Sequence, residues 1–237
     1  MERILGIVGG VGPESTIDYY RRLVAGWRER NPDGSYPRVI IDSVEAGRLN
    51  RSLGEGDYGR VAEELGQAVC ELAAAGAGAA LLASNTSHLV FDEINARAPI
   101  PLIHIVDAAR EAALTRGYRR LGLFGTRFVM RAPMYPQRFA PAIEIVVPNE
   151  EEQAYIHAKY FGELIPGTIL DATRDGLVSI IAALRARDAI DGLILGGTEL
   201  ALILTAEEYA EVPILDTARI HVDAALDWLL GKEVAST

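Results

Sequence analysis

Two short polar segments of this chain, each directly after an apolar run, carry side chains that could do chemistry. Ser84-Asn85-Thr86 follows Leu81-Leu82-Ala83, and Gly197-Thr198-Glu199 follows Leu193-Ile194-Leu195-Gly196. Each apolar run predicts a buried strand, and each polar segment predicts a corner that leads into a helix. Parallel sheets bind ligands beyond the carboxyl ends of their strands. Two such corners facing one another could therefore hold a small acid and act on both faces of one carbon atom.

The groups at these corners decide what that chemistry could be. The Glu199 carboxylate is a candidate general base, because partial burial raises the pKa of a carboxyl group. The Ser84 hydroxyl is a far weaker acid than a thiol and needs a base beside it, and Gly197 has no side chain. His88 or His104 could be that base, although an isolated histidine is more often structural. No spacing among the four histidines indicates a metal site.

A glycine-rich turn follows the first predicted strand. Gly9-Gly10-Val11-Gly12 precedes Pro13, a residue type suited to the first turn of a helix. Glycine permits a tight turn with exposed N–H groups, and a helix N-terminus with bare amides binds anions. We therefore expect the backbone of Gly10 and Val11 to hold a carboxylate, the alternative being a purely structural turn. The spacing is that of neither a P-loop nor a dinucleotide fingerprint.

Asn85, Thr86 and Thr198 could serve two purposes at the corners. All three suit the start of a helix, where a side-chain oxygen caps a backbone N–H group. Their amide and hydroxyl groups, beside free N–H groups, also suit the α-carboxylate of an amino acid. The two roles are compatible, because a capped corner still has donors left for a ligand.

Strand-like and helix-like runs alternate along the chain, which predicts an α/β, doubly wound architecture with mostly parallel sheets. The strand-like runs are Ile4–Val8, Val39–Asp42, Ala79–Ala83, Leu102–His104, Leu121–Phe124, Glu144–Val147, Leu193–Leu195 and Pro213–Leu215. The helical runs include Glu14–Arg30, Tyr58–Ala75, Asp107–Arg116, Glu151–Glu163, Asp171–Ala186 and Asp216–Leu230.

The chain also repeats itself. Leu5-Gly6-Ile7-Val8-Gly9 is similar to Leu121-Gly122-Leu123-Phe124-Gly125, and this pair, the two corners and two Pro-containing strands recur in the same order about 115 residues apart. We expect two similar doubly wound lobes related by a pseudo-twofold axis, with an active-site cleft between them. If the last helix returns to the first lobe, the domains are residues 1–115 with 210–237, and residues 116–209.

Composition excludes several classes of function. The 237 residues carry a net charge of −10 and include no basic cluster, which disfavours nucleic acid and anionic membrane as partners. The start of the chain lacks the pattern of a leader peptide and no apolar run could span a membrane, so we expect a cytoplasmic protein. Cys70 is the only cysteine, and we expect it to be a small buried core residue on a helix.

Taken together, these segments resemble the aspartate/glutamate racemase superfamily over nearly the whole chain. The glycine-rich opening, Leu123-Phe124-Gly125-Thr126-Arg127-Phe128 and Pro213-Ile214-Leu215-Asp216-Thr217 are similar to family segments, and the two corners resemble its Cys-Asn-Thr and Gly-Cys-Thr-Glu motifs. The resemblance implies a cofactor-independent enzyme, commonly a dimer, in which two cysteines transfer protons on opposite faces of the α-carbon. Ser84 and Gly197 hold the positions of those cysteines in this chain.

The resemblance also implies how a substrate would be held. Arg48 matches the family arginine that binds a side-chain carboxylate, while the family lysine that would fall near Ile165 has no counterpart. Thr126 would join Asn85, Thr86 and Thr198 in holding the substrate.

Three functions remain open from the sequence. The first is proton transfer at the α-carbon of a small carboxylate, with an acidic amino acid favoured and with Ser84 and Glu199 handling protons. The second is a divergent lyase or isomerase reaction on the same fold. The third is a protein that binds a small carboxylate and senses or regulates without turning it over, which the missing thiols favour. The resemblance also implies a homodimer.

Overall fold

A computed structural model describes residues 3–232, and within it the chain divides into two compact units. Unit 1 runs up to Ile105 and resumes at His221, while unit 2 runs from Val106 to Ile220. The domain bounds drawn from the sequence stay a prediction. They differ from the two units because they assign residues 106–115 and 210–220 to the first domain, whereas these residues lie in unit 2. Residues 1–2 and 233–237 of that first predicted domain lie outside the described residues.

Unit 1 contains a parallel sheet whose inner strands are fully apolar. Its strands are β1 (Ile4–Gly9), β2 (Arg38–Ser43), β3 (Ala79–Leu82) and β4 (Leu102–Ile103), in the order β2-β1-β3-β4. Every residue of β3 is buried, as expected for a strand covered on both faces. The short apolar runs of the sequence therefore form strands that are covered on both faces, as predicted.

Acidic side chains cap two of the helices of unit 1. The helices are α1 (Pro13–Arg30), α2 (Ala46–Glu55), α3 (Tyr58–Ala74), a 3₁₀ turn (Thr86–Val90) and α4 (Phe91–Asn95). The Glu45 carboxylate caps α2 and Asp57 caps α3. The predicted burial of Cys70 is wrong: α3 buries Val69 and Leu72, and the cysteine is exposed.

Unit 2 repeats this arrangement and adds one strand. Its strands are β5 (Arg120–Gly125), β6 (Glu144–Val146), β7 (Gly192–Gly196), β8 (Glu208–Tyr209) and β9 (Val212–Asp216). Their order is β6-β5-β7-β9-β8, with only β8 antiparallel. Without β8 the order matches β2-β1-β3-β4. The predicted α/β fold with two mostly parallel sheets is therefore confirmed, whereas the two-residue strand β8 was not predicted.

Helices connect the strands of unit 2, and one predicted helix changes its geometry. The helices are α5 (Ile105–Thr115), α6 (Arg127–Arg131), α7 (Met134–Phe139), α8 (Glu150–Lys159), α9 (Asp171–Asp188) and α10 (Leu200–Ile203). The predicted run over 151–163 is helical throughout, but α8 gives way to a π-helical turn at Tyr160–Leu164. The Ile165 N–H donates to the Tyr160 carbonyl, five residues back, at 2.9 Å.

The last helix, α11 (Thr217–Leu229), contributes its residues from His221 onward to unit 1. Its Asp223 forms an ion pair with Arg30 of α1 at 2.8 Å, and its His221 bonds to both α1 and β4. This return of the chain was expected from the sequence. No helix within residues 3–232 is long and apolar enough to cross a membrane.

Candidate functional site

The two polar corners occupy the same place in their sheets. The first follows β3 and the second follows β7, and each strand is an inner strand next to the first strand of its unit. Chain order reverses at these points, because β1 and β5 each have their sequential neighbour on the other side. Ligands of open α/β sheets bind at such switch points. The structure thus places both predicted corners where that architecture puts its binding sites.

Backbone hydrogen bonds hold the first corner closely against β1. The Ala83 N–H donates to the Val8 carbonyl at 2.9 Å, and the Ser84 N–H donates to the Leu82 carbonyl at 2.8 Å. The Ser84 hydroxyl is buried and lies 3.4 Å from the Ser87 N–H, a weak contact. Asn85 is buried too, but it makes no side-chain cap on the 3₁₀ turn, so the predicted capping role is wrong for this residue.

His88 is a structural residue of this corner. The Ile105 N–H donates to its Nε2 at 3.2 Å, so Nδ1 carries the ring hydrogen and donates it to the Ser84 carbonyl at 2.8 Å. Both nitrogens are therefore engaged by the backbone, which argues against His88 as the base for Ser84. Its ring also stacks on Phe91 and contacts His104, with ring centroids 5.3 and 4.8 Å apart.

The glycine-rich turn lies beside the first corner, after β1. Gly10 has a φ of +85°, and a β-carbon there would lie 2.3 Å from the Val44 carbonyl oxygen, so only glycine fits. The Gly10 N–H donates to the Thr16 hydroxyl at 2.9 Å. This amide, predicted to hold a carboxylate, thus has a partner inside the turn. Val11 is half-buried next to it.

Arg48 lies on α2, after β2, and its side chain is 54% exposed. Its Nε lies 3.0 Å from Glu64 Oε1, and Arg60 shares the same carboxylate at 3.6 Å. A substrate carboxylate would have to compete with Glu64 for this guanidinium. Because the Arg48 side chain is more than half exposed, solvent screens its ion pair with Glu64.

The second corner adjoins the end of β5. Gly125 and Gly196 pair across the sheet, and Thr126 follows directly. The Val129 N–H donates to the buried Thr126 hydroxyl at 3.3 Å, so this threonine caps α6. The predicted site residues therefore fall into two groups, one on each unit: Gly10, Val11, Arg48, Ser84, Asn85 and Thr86 on unit 1, and Thr126, Gly197, Thr198 and Glu199 on unit 2.

A buried carboxyl group distinguishes the second corner. Glu199 is 3% exposed, and its Oε2 accepts hydrogen bonds from the Thr198 hydroxyl at 3.0 Å and from the Tyr160 hydroxyl. Two hydroxyl donors stabilise a carboxylate in a site from which water is largely excluded. Tyr160 is the residue that sequence reasoning missed. A glycine at the end of an inner strand could have signalled that another group approaches closely there.

Comparison with known proteins matches nearly the whole chain to one family. Residues 8–225 match the Asp/Glu/hydantoin racemase family. The structure of a proposed Asp/Glu racemase from Yersinia pestis has 33% sequence identity and a TM-score of 0.86, with 96% of this chain and 99% of that chain covered. An aspartate racemase homologue from Pyrococcus horikoshii has 34% identity and a TM-score of 0.82, over 97% and 100% of the two chains.

A more distant structure shares the fold. Glutamate racemase from Francisella tularensis in complex with D-glutamate has 16% identity and a TM-score of 0.65, covering all of this chain and 84% of that one. The resemblance drawn from the corners and the glycine-rich opening is confirmed. The match of Ser84 and Gly197 to catalytic cysteines stays a prediction. On the evidence of the match over residues 8–225, this chain belongs to the Asp/Glu/hydantoin racemase family.

Proposed function

We propose that this protein is a cofactor-independent isomerase of the racemase type, which moves a proton at the α-carbon of a small carboxylate. The observation that carries the proposal is the buried Glu199 carboxyl group at the carboxyl end of β7, in a chain that belongs to a racemase family. An amino acid is the proposed substrate. An acidic one is favoured, because the Arg48 guanidinium would bind a second carboxylate through two hydrogen bonds.

Glu199 and Ser84 would transfer the protons, and Glu199 is the better base of the two. A carboxylate can act as a general base by itself, whereas a serine hydroxyl needs a neighbouring base, and His88 is engaged by the backbone. Gly197, at the place of the second family cysteine, contributes no group of its own. The substrate-holding residues would be Arg48, Asn85, Thr86, Thr126 and Thr198, with the backbone of Gly10 and Val11.

Hydrogen exchange at the α-carbon tests this proposal directly. The protein is incubated in D₂O with the L- and D-forms of aspartate, glutamate and neutral amino acids, and the α-proton signal is followed by NMR. We expect loss of that signal and formation of the other enantiomer for at least one acidic amino acid. The rate should survive dialysis against a chelator. Absence of exchange with every amino acid would contradict the proposal.

A second candidate is a protein that binds a small carboxylate without turnover. The observation that favours it is the lack of a thiol at both corners, since Cys70 is the only cysteine and lies exposed on α3. Calorimetry that shows saturable binding of aspartate or glutamate without α-hydrogen exchange would support it. Release of carbon dioxide or isomerisation of an unsaturated diacid would instead indicate the divergent lyase or isomerase.

We also propose that the protein works as a homodimer in the cytoplasm. Light scattering on the purified chain tests the first statement, because a monomer has the 25.6 kDa mass of the sequence. Fractionation of the cells that express it tests the second.

A further inference from the structure

The ring of Tyr160 lies where a side chain at position 197 would be. A β-carbon added to Gly197 would stand 2.5 Å from Tyr160 Cε2 and 3.1 Å from both Cζ and the hydroxyl oxygen. Gly197 is not among the described glycines with positive φ, so its backbone conformation does not call for glycine. The reason for a glycine at this corner is therefore the tyrosine that packs on it.

Tyr160 is held in this place from two sides. Its hydroxyl donates to Glu199 Oε2, and its side chain is 5% exposed within the core of unit 2. Burial, and then the negative charge of Glu199, raise the pKa of Tyr160 well above its usual value. The phenol consequently stays protonated and acts as a hydrogen-bond donor to the carboxylate.

The backbone at Tyr160 also departs from regular α-helical geometry. The tyrosine begins the π-helical turn Tyr160–Leu164, and π turns inside helices occur often at functional sites. Side-chain bonds fix this turn: the Glu163 carboxylate accepts hydrogen bonds from Lys159, at the end of α8, and from Thr173 of α9. The ring therefore cannot move away from Gly197 without breaking contacts of the turn or the bond to Glu199.

We propose that Tyr160, Gly197 and Glu199 form one constellation in which the Tyr160 ring fills the space of a side chain at position 197 and its hydroxyl positions the Glu199 carboxyl group. Tyr160 is thus a positioning residue, and its ring can lie there only because position 197 is a glycine.

The catalytic part of this inference rests on the proposed function. In that step the α-C–H bond breaks, its electron pair stays on the substrate carbon, and the proton passes to a Glu199 oxygen. The reverse transfer returns a proton from the carboxylic acid to carbon, and Tyr160 keeps its own proton throughout.

The packing part is tested by a double-mutant cycle on thermal unfolding. Gly197→Ala should lower the unfolding midpoint by about 5 °C in the wild-type background, because overpacking strains a buried site. The same change should lower the unfolding midpoint much less in a Tyr160→Leu background, where the ring is absent. Gly66→Ala is the control, since no atom lies within 4 Å of the β-carbon it adds. An equal loss in both backgrounds would overturn the inference.

The positioning part is tested by kinetics. Tyr160→Phe keeps the ring and removes only the hydroxyl, so kcat for α-hydrogen exchange should fall about 10- to 100-fold while KM changes little. Tyr155→Phe, on α8 and packed against the same core, is the matched control and should keep the wild-type rate. Wild-type exchange kinetics in Tyr160→Phe would overturn the inference. If the wild-type protein itself exchanges nothing, the proposed function fails, while the unfolding cycle still decides whether Tyr160 and Gly197 are paired.

Discussion

The two corners have equivalent positions in their sheets but are built from different chemistry. The first keeps a small side chain at its turn, Ser84, and surrounds it with backbone hydrogen bonds and the engaged ring of His88. The second has no side chain at Gly197, and Tyr160 and Glu199 occupy that space instead. The first corner is thus polar and uncharged, whereas the second holds a buried carboxyl group.

We expect the second corner to transfer a proton more readily than the first. A hydroxyl group transfers a proton poorly without a base, whereas a carboxyl group does so readily. The corners also differ in the space that a side chain would find. Serine is close to cysteine in size, but a cysteine side chain at position 197 would overlap the Tyr160 ring. A variant with cysteine at position 197 therefore requires that Tyr160 be replaced as well.

Removing the carboxyl group of the second corner should have the largest effect. Glu199→Gln keeps the shape of the side chain but cannot take up a proton, so the racemisation rate should fall by at least about 100-fold. Chiral chromatography of the products measures it. Glu151→Gln, exposed on α8, is the matched control and should match the wild type. A Glu199→Gln variant as active as the control would show that the corners do not differ in this way.

Acid should weaken unit 1 through the buried His221 of α11. Burial lowers the pKa of His221 to about 4 from 6.5. The unfolded chain therefore binds this proton below pH 6.5, the folded chain only near pH 4, and stability is lost as pH falls between those values. From pH 7 to pH 5 we expect a loss of about 2 kcal/mol.

Urea unfolding at several pH values measures this loss. His221→Gln should remove most of the pH dependence in the same window, although it also lowers stability at pH 7 by breaking the bonds to Tyr19 and Ile103. A variant whose stability falls with pH as steeply as the wild type would rule out His221 as the cause.

The arginine of unit 1 should affect substrate binding more than stability. Arg48→Gln should raise KM for an acidic substrate about 10-fold, by loss of a charged hydrogen-bond pair. The unfolding free energy should change by less than about 1 kcal/mol, because the Arg48 side chain is 54% exposed and Arg60 still faces the Glu64 carboxylate. Arg60→Gln removes the other arginine on Glu64 and should leave KM unchanged. Equal KM values for the two variants would contradict the anchoring role of Arg48.

The smallest effect is expected at Ser87, next to the first corner. Among buried side-chain polar atoms of the described chain, its hydroxyl oxygen is the one that lacks a hydrogen-bond partner. Ser87→Ala removes that unsatisfied group, so the unfolding midpoint should stay unchanged or rise by about 2 °C. A clear fall, measured by calorimetry, would show that the hydroxyl has a stabilising partner.

The strands that lead into both corners could be predicted from local sequence, because short apolar runs such as Ala79–Leu82 and Gly192–Gly196 are typical of buried strands. Cys70 was misjudged because its helix is apolar on one face and the residue lies on the other. Tyr160 could not be found from its neighbours in sequence. Its role depends on a packing contact with Gly197 and a hydrogen bond to Glu199, which only the folded chain brings together.

The central claim is that Glu199 handles the proton at the second corner. The most direct test is α-hydrogen exchange in D₂O, started separately from the L- and the D-enantiomer, for the wild type and Glu199→Gln side by side. We predict that the wild type exchanges both enantiomers and that Glu199→Gln loses exchange from one of them by at least about 100-fold more than from the other. Exchange of both enantiomers by Glu199→Gln at wild-type rates would contradict the claim.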